Sequence, residues 1–293
     1  MSRRSRARRP SAFSRWRHYV LVFVFLGSGT ALSVRVVYLG VTERDFLQRE
    51  GDARSVRKET IPAMRGVISD RNGQALAVST PVYAIWTDPS RAVFTDADLR
   101  RVAEAIDEPF AALRERISGD RKREFVYLKR RASWEIREAV RELQVDHIYL
   151  QPEYRRYYPA AETAAHVVGM TDIDDRGQEG MEYAFERSLS GRHGSKVVLK
   201  DRRGNTVKDL DYLSAPSFGA DLTLSIDLNL QFIAYRELKS AVQSHRARSG
   251  SLVVADVATG EILALVNQPS YNPNDIKGYG EGMRNRAVTD AYE

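Results

Sequence analysis

Arg65-Gly66-Val67-Ile68-Ser69-Asp70-Arg71-Asn72-Gly73-Gln74-Ala75-Leu76-Ala77 is the stretch on which the reading of the whole chain turns. Two short apolar runs, Val67-Ile68 and Leu76-Ala77-Val78, flank Asp70-Arg71-Asn72-Gly73. Asn-Gly between apolar runs signals a hairpin, because both residues tolerate the positive φ of a tight reversal. Arg65, Asp70 and Arg71 set opposite charges beside that turn, close enough to bridge within the hairpin or beyond it. Upstream of it the chain reads as delivery to a membrane, and downstream as an extramembrane body.

The upstream part is organised by charge. Residues 1–18 hold seven arginines and no acid, and removing these from the chain's 45 basic residues leaves 38 against 39 acidic ones. A nucleic-acid binder carries its basic surplus on the folded body. The body here is near neutral, so nucleic acid is set aside as a partner. Tyr19 to Gly40 is a 22-residue apolar run interrupted by Arg35 and a few small polar residues. At about 1.5 Å per residue such a run spans the ~30 Å hydrocarbon core. The positive-inside rule puts the tail (1–18) in the cytoplasm and the body outside. The rival is a cleaved signal peptide with Tyr19–Leu26 as its apolar region and Ser28–Ala31 as its cleavage site. Leu32, Val34, Val36, Val37, Tyr38 and Leu39 continue the apolar pattern past that point, which favours an uncleaved anchor over 19–40. Gly27 and Ala31 form a small-xxx-small pair that lets another helix approach. Arg35 either snorkels to the headgroups or meets a partner. The chain has no cysteine, which excludes disulfides and thiolate metal sites.

Beyond the span, residues 41–59 read as a juxtamembrane helix, ended by Ile61-Pro62 because the residue before proline avoids the helical region. Val82 to Trp86 alternates as a strand. Residues 91–147 read as a small α/β head inserted between strands. Thr95-Asp-Ala-Asp98 is a capping box for a helix with Leu99, Val102, Ala103 and Ile106 on one face. A second helix carries Phe110, Leu113 and Ile117, Phe125–Leu128 is a strand, and Ser133 opens a third helix. Arg121-Lys122-Arg123 and Lys129-Arg130-Arg131 read as solvated turns. After a strand at Ile148–Leu150 come glycine-punctuated turns, closed by a linker-like stretch at Ala215–Gly219. A second unit runs from Asp221: a strand at Leu222–Ile226, Asp227 as N-cap, and a helix with Leu230, Ile233, Ala234, Leu238, Ala241 and Val242 at a 3.6 period. Ser251–Ala255 and Glu261–Val266 form a hairpin through Ala258-Thr259-Gly260. One helix and two strands do not close a core, so the chain is expected to stop inside a domain.

Several tempting motifs lack their context. Ser55-Val56-Arg57-Lys58 has the Ser-x-x-Lys form of penicillin-recognising serine enzymes but lies in a charged juxtamembrane segment. Ser270-Tyr271-Asn272 sits in a Pro-Asn turn, and no Lys-Thr-Gly or Lys-Ser-Gly occurs. Asp172, Asp174, Gly177 and Glu182 suggest a calcium loop, but Arg176 stands at a ligand position and Tyr183 where the closing glutamate belongs. His166 in an apolar run reads as a core histidine, and Gly278–Gly282 neither follows a strand nor opens a helix. No catalytic residue, cofactor or metal is expected from these residues.

The segments in order nevertheless resemble the class B high-molecular-weight penicillin-binding proteins. The resemblance rests on Arg-Gly-x-Ile-x-Asp-Arg-Asn-Gly-x-x-Leu-Ala (65–77), Arg-x-Tyr-Pro (156–159) and Gly-x-x-Gly-Met-Glu (177–182). It continues through Leu-x-Gly-x-x-Gly (189–194), Asp-x-x-Gly (201–204) and Val-Val-Ala-Asp-x-x-Thr-Gly-Glu-Ile-Leu-Ala-Leu-Val-Asn-x-Pro-x-Tyr-Asn-Pro-Asn (253–274). Residues 81–89 and 285–293 look most like the division-specific members. The resemblance implies an α+β fold: one N-terminal transmembrane helix, a β-rich dimerisation or pedestal domain (60–220) with its inserted head, and an incomplete transpeptidase domain (221–293). It implies a single-pass protein of the bacterial inner membrane with a periplasmic body, part of a septal peptidoglycan D,D-transpeptidase of the acyl-serine type. Its implied partners are a multi-span glycan polymerase and other divisome proteins, with stem peptides and β-lactams bound by the complete protein. The family's Pro-Gly-Ser-x-x-Lys follows the segment matching 285–293, so residues 1–293 are expected to be inactive alone. A membrane-anchored divisome scaffold and the elongation-specific sibling are the alternatives. What the resemblance carries over is architectural: Arg65, Gly66, Asp70, Arg71, Gly73, Arg156, Pro159, Gly180 and Glu182, with the charged residues expected to join separate segments through buried ion pairs.

Overall fold

The computed structural model describes residues 15–41, 56–119, 123–200, 206–275 and 280–291. They fall into two units, 1–56 and 57–293, each described by itself. The first contains helix α1 (Arg15–Val41), whose Trp16–Tyr38 portion is long and apolar enough to cross a membrane. Its small polar residues do not break it, because their hydroxyls donate back along the helix. Ser28 bonds the Phe25 carbonyl at 3.0 Å, Thr30 that of Leu26 at 2.9 Å and Ser33 that of Gly29 at 2.9 Å. Of the juxtamembrane helix expected over 41–59, residues 42–55 lie outside the described residues. Residues 56–59 belong instead to strand β1 (Val56–Ile61). In that strand the exposed Arg57 and Lys58 lie between half-buried Val56 and Glu59, and its neighbour in the sheet supplies partner backbone.

In the second unit, β2 (Ile68–Ser69) and β3 (Ala75–Thr87) form the hairpin expected at Asn72-Gly73. Only Gly73 takes a positive φ (82°); Asn72 does not. The reason lies in Asp70, whose Oδ1 accepts the N–H groups of Asn72 at 2.8 Å and Gln74 at 2.7 Å. This Asx-type turn reverses the chain over more residues, with a bulge between Ile68 and Ser69.

β3 is long, and its far half builds the head. β5 (Ile148–Tyr157) pairs with it from Val78↔Tyr157 to Thr87↔Ile148, and β4 (Val126–Ala132) covers the other edge. Helices α2 (Asp96–Ala105), α3 (Phe110–Ser118) and α4 (Trp134–Glu142) pack on this sheet around Ile85, Leu99, Val102, Ile106, Leu113 and Leu128. Thr95 and Ser133 cap α2 and α4 by accepting from Asp98 N and Ile136 N. The head is therefore the distal end of the strands that begin in the hairpin. Lys129-Arg130-Arg131 is not a turn. It lies in β4, where Arg130 pairs with Glu153 at 2.9 Å and Asp174 at 2.6 Å; Arg121 and Lys122 lie outside the described residues.

The base holds a second core of Ile68, Leu76, Tyr158, Val168, Met170, Leu189 and Met283. Short helices α5 (Ala165–Val168), α6 (Gly180–Ala184) and α7 (Glu186–Leu189) supply much of it. A sheet of order β1–β6–β7 follows, with β6 at Gly194–Lys200 and β7 at Thr206–Ser214. The stretch Ala215–Gly219, expected as a linker, is knitted into the base. Ser217 and Arg192 exchange backbone bonds of 2.7 and 2.9 Å, Gly219 N meets Met64 O at 3.0 Å, and Ala220 N meets Ser188 O at 2.8 Å. Backbones cross here too closely for side chains. A Cβ on Gly66 would lie 2.0 Å from Ala220 O, and one on Gly219 only 1.7 Å from Leu189 O.

β8 (Leu222–Thr223) then runs parallel to β2, shorter than the strand expected over Leu222–Ile226. The chain turns at Ser225–Asp227 into α8 (Leu228–Ser244), capped by the Asp227 side chain, which accepts from Asn229 N and Leu230 N. β9 (Gly250–Ala255) and β10 (Ile262–Gln268) form the expected hairpin, and α9 (Arg286–Thr289) closes the described chain. The buried face of α8 is the expected one only in part. Ala234 is buried and Leu238 packs beside it as expected, but Leu230 and Ile233 are exposed and Gln231 is buried in their stead, because Gln231 bonds three backbone groups of neighbouring segments.

The glycine crossing gives a direct test. Gly219→Ala should lower the unfolding free energy by about 1–3 kcal/mol or more, read by chemical denaturation; an unchanged midpoint would contradict the close approach.

Candidate functional site

Of the residues singled out from the sequence, Arg65, Arg156 and Glu182 meet where the hairpin enters the base. Arg65 lies just before β2 and is 1% exposed, so its charge must be answered inside the protein. Its Nε donates to Glu182 Oε2 at 2.6 Å, its Nη2 to the Glu182 carbonyl at 2.9 Å and its Nη1 to the Asp175 carbonyl at 3.2 Å. Nη2 also pairs with Glu186 Oε2 at 2.7 Å. From β5, Arg156 Nε donates to the other Glu182 oxygen at 2.7 Å, and its Nη1 reaches Ser79 Oγ at 3.1 Å. One buried carboxylate on α6 thus joins two buried guanidinium groups, and Glu186 of α7 adds the second negative charge. Burial alone would lower the Arg65 pKa. Glu186 and Glu182 more than offset it, and the group titrates above its ordinary value.

The other residues of the set act differently. Gly180 opens α6 at φ +60°, and Pro159 takes the second position of the turn closed by Ala161 N on Tyr158 O at 3.0 Å. Asp70 is fully buried but belongs to none of the ion pairs among the described residues. Besides its two turn bonds, its Oδ2 accepts Leu228 N at 3.1 Å, at the start of α8. Burial raises the Asp70 pKa, but the N–H groups of Leu228, Gln74 and Asn72 outweigh it and hold the carboxyl below its ordinary range. Arg71 does not form a buried pair: its side chain meets Glu261 at 3.3 Å with both groups about two-fifths exposed. What is internal at Arg71 is its backbone N–H, which donates to Ile226 O at 2.9 Å. A polar hairpin tip facing a second segment explains this, since the main chain is covered while the long side chain reaches solvent. Gly27, Ala31 and Arg35 lie on exposed faces of α1, with the Arg35 guanidinium 5.6 Å from the Tyr38 ring centre.

Asn274 and Gln231 were not weighed one by one in the sequence, whereas Ser270, Tyr271 and the core histidine His166 were; all five join separate segments. Asn274 grips the Tyr158 backbone from both sides, accepting from its N–H at 2.9 Å and donating to its carbonyl at 2.8 Å. Gln231 donates to Thr163 O and Leu265 O, each at 2.7 Å, and accepts from Leu265 N at 2.8 Å. Ser270 Oγ bonds Glu162 O at 2.8 Å, and Tyr271 OH bonds Ala165 O at 3.2 Å. His166 is buried, with Nε2 2.8 Å from Gly282 O and its ring edge-on to Tyr271. Burial lowers its pKa. The legible signal was a polar residue inside an apolar helical stripe, as at Gln231. The arrangement holds segments together.

The ranking of these pairs can be measured. Glu182→Ala leaves two buried guanidinium groups without their carboxylate and should cost about 3–5 kcal/mol. Arg71→Ala removes only a surface pair and should cost under about 1 kcal/mol. Equal losses in chemical denaturation would contradict the assignment.

Comparison with known proteins agrees with this architecture. The family model for the penicillin-binding protein dimerisation domain matches residues 60–224, and that for the penicillin-binding protein transpeptidase domain matches residues 250–293. Peptidoglycan D,D-transpeptidase FtsI of Escherichia coli strain K12 is 40% identical over 287 residues, 96% of this chain and 49% of that protein. The probable peptidoglycan D,D-transpeptidase PenA of Neisseria meningitidis serogroup A is 42% identical over 267 residues, 89% of this chain and 46% of that protein. The chain spans about half the length of the curated relatives it matches. A penicillin-binding protein (PBP2) solved in complex with MreC from Helicobacter pylori has a similar fold. Its TM-score is 0.55 at 22% identity, covering 75% of this chain and 44% of that one. With its dimerisation-domain match extending over more than half its length, the chain belongs to the penicillin-binding protein family.

Proposed function

We propose that residues 1–293 are the membrane-anchoring and pedestal portion of a septal peptidoglycan D,D-transpeptidase. The observation that carries this reading is backbone continuity at the hairpin. β2 is paired to β3 on one side and to β8 on the other, and Asp70 binds the first N–H of α8. The pedestal is thereby tied to α8, whose Gln231 bonds Leu265 of β10, inside the segment matched by the transpeptidase model. In this reading α1 is a single span of the bacterial inner membrane, with the arginine-rich tail in the cytoplasm and the body in the periplasm. Gly27, Ala31 and Arg35 face the membrane and are candidates for contact with a multi-span glycan polymerase of the division machinery. The pedestal is a second candidate surface for divisome proteins, as the Helicobacter pylori protein's complex with MreC suggests by analogy of fold. The identities to FtsI and PenA favour division over elongation.

Acylation by penicillin belongs to the nucleophile of the complete transpeptidase domain. Fluorescent penicillin should therefore label the protein that carries the remainder of that domain and leave residues 1–293 unlabelled on a gel. Specific labelling of 1–293, competed by unlabelled penicillin, would contradict this reading.

A further inference from the structure

Loop Thr171–Gly177 lies where the head meets the base. Thr171 and Gly177 form a bridge across its ends, and Asp172 Oδ1 accepts Asp174 N at 2.8 Å and Arg176 N at 3.0 Å. From the head, Arg130 of β4 pairs with Asp174 at 2.6 Å, and Arg131 Nη2 donates to Asp172 O at 2.8 Å. From the base, Arg65 holds the Asp175 carbonyl. Asp175 itself takes φ +63° and Arg131 φ +56°, a region that side-chain-bearing residues seldom occupy.

Three buried polar atoms here have no hydrogen-bond partner among the described residues: Asp175 Oδ1, Arg131 Nε and Arg156 Nη2. Buried polar atoms are nearly always satisfied, so an unpaired acceptor beside two unpaired donors marks an arrangement with a second solution. The charged groups acting on Asp175 are Arg65 before β2, Arg156 from β5, Glu182 from α6 and Arg131 from β4. Arg131 in turn feels Arg155 of β5 and its neighbour Arg130. Glu186 completes the set through Arg65.

We propose that Asp175 is a proton-operated latch between head and base. Neutral, it lets the loop keep the closed position seen here. Ionised, it draws the loop to a second position in which its carboxylate reaches Arg131, Arg156 or water. The head responds because Arg130 and Arg131 of β4 grip the same loop. The direction of the effect follows from the group's titration. Burial is the largest influence and raises the carboxyl to about 6, opposed by Arg65, Arg156 and Arg131 and assisted by Glu182. Unfolded, it titrates at about 3.9. The folded arrangement binds the extra proton between these values, so its stability is full below that window and falls as pH rises through it. His166, whose pKa is lowered by burial, acts with the opposite sign.

The test compares the 293-residue chain in detergent with its Asp175→Asn variant at pH 5.0 and 7.5. His166 is present in both and cancels in the comparison. Between the two pH values the variant should gain roughly 2–4 °C in Tm over the wild type. The same pH dependence in both proteins overturns the latch. If Asp175→Asn does not fold, amide exchange in the wild type decides. Corrected for intrinsic rates, protection at 171–177 and along β4 should fall roughly tenfold from pH 5.0 to 7.5. Unchanged protection, or loss spread evenly over the chain, overturns it.

Discussion

Glu182 stands between two arginines that reach it from different parts of the chain, and the base is arranged around that contact. Arg65 precedes the hairpin, Arg156 lies near the end of the longest strand ladder, and Glu182 sits in the middle of a short helix. Taking these charges out of water is costly, and their mutual attraction restores little beyond that cost. The gain is in placement. A buried guanidinium accepts few alternative partners, so one carboxylate holds the hairpin entry, β5 and α6 in a single relation. Ser79 extends the contact into β3 by receiving Arg156 and bonding the Arg65 carbonyl at 3.4 Å.

From that anchor, order passes along main chain more than side chain. Residues 64–71 are bordered by Ser188–Leu189 and by Gly219–Leu224, with bonds from Gly66 N to Leu189 O at 2.9 Å and from Leu222 N to Val67 O at 2.8 Å. The contacts are close because Gly66 and Gly219 carry no side chain. Asp70 then bridges to α8, whose Gln231 returns to the base at Thr163. The pedestal, β8 and α8 are consequently one bonded network. A hinge at residue 221 would have to break several of these bonds.

The head is joined on different terms. It has its own apolar core and shares the long strands β3 and β5 with the base, but its β4 edge meets the base through arginines. Apolar cores seldom respond to pH or charge, whereas buried ionic contacts do. The polar seam is therefore where the position of the head is open to adjustment, and the strand ladder is where it is not.

Much of the chain was legible from local pattern. The apolar run of α1, the caps at Thr95, Ser133 and Asp227, and the reversals at 70–73 and 258–260 each depend on a few consecutive residues. Hydrogen bonds that close within one turn are written where they act. The tertiary structure decided everything whose partner is distant. It made Ala215–Gly219 a bonded strand-like segment, turned α8 so that Gln231 is inside, and placed Asn274 on Tyr158 across 116 residues. It also separated Arg65, buried against a carboxylate 117 residues away, from Arg71, whose similar-looking charge stays at the surface. The sequence alone determined the helix starts and reversals whose bonds close within a few residues, at Thr95, Ser133, Asp227, 70–73 and 258–260. Which polar groups are buried was decided by the fold, because that depends on what the rest of the chain brings to meet them.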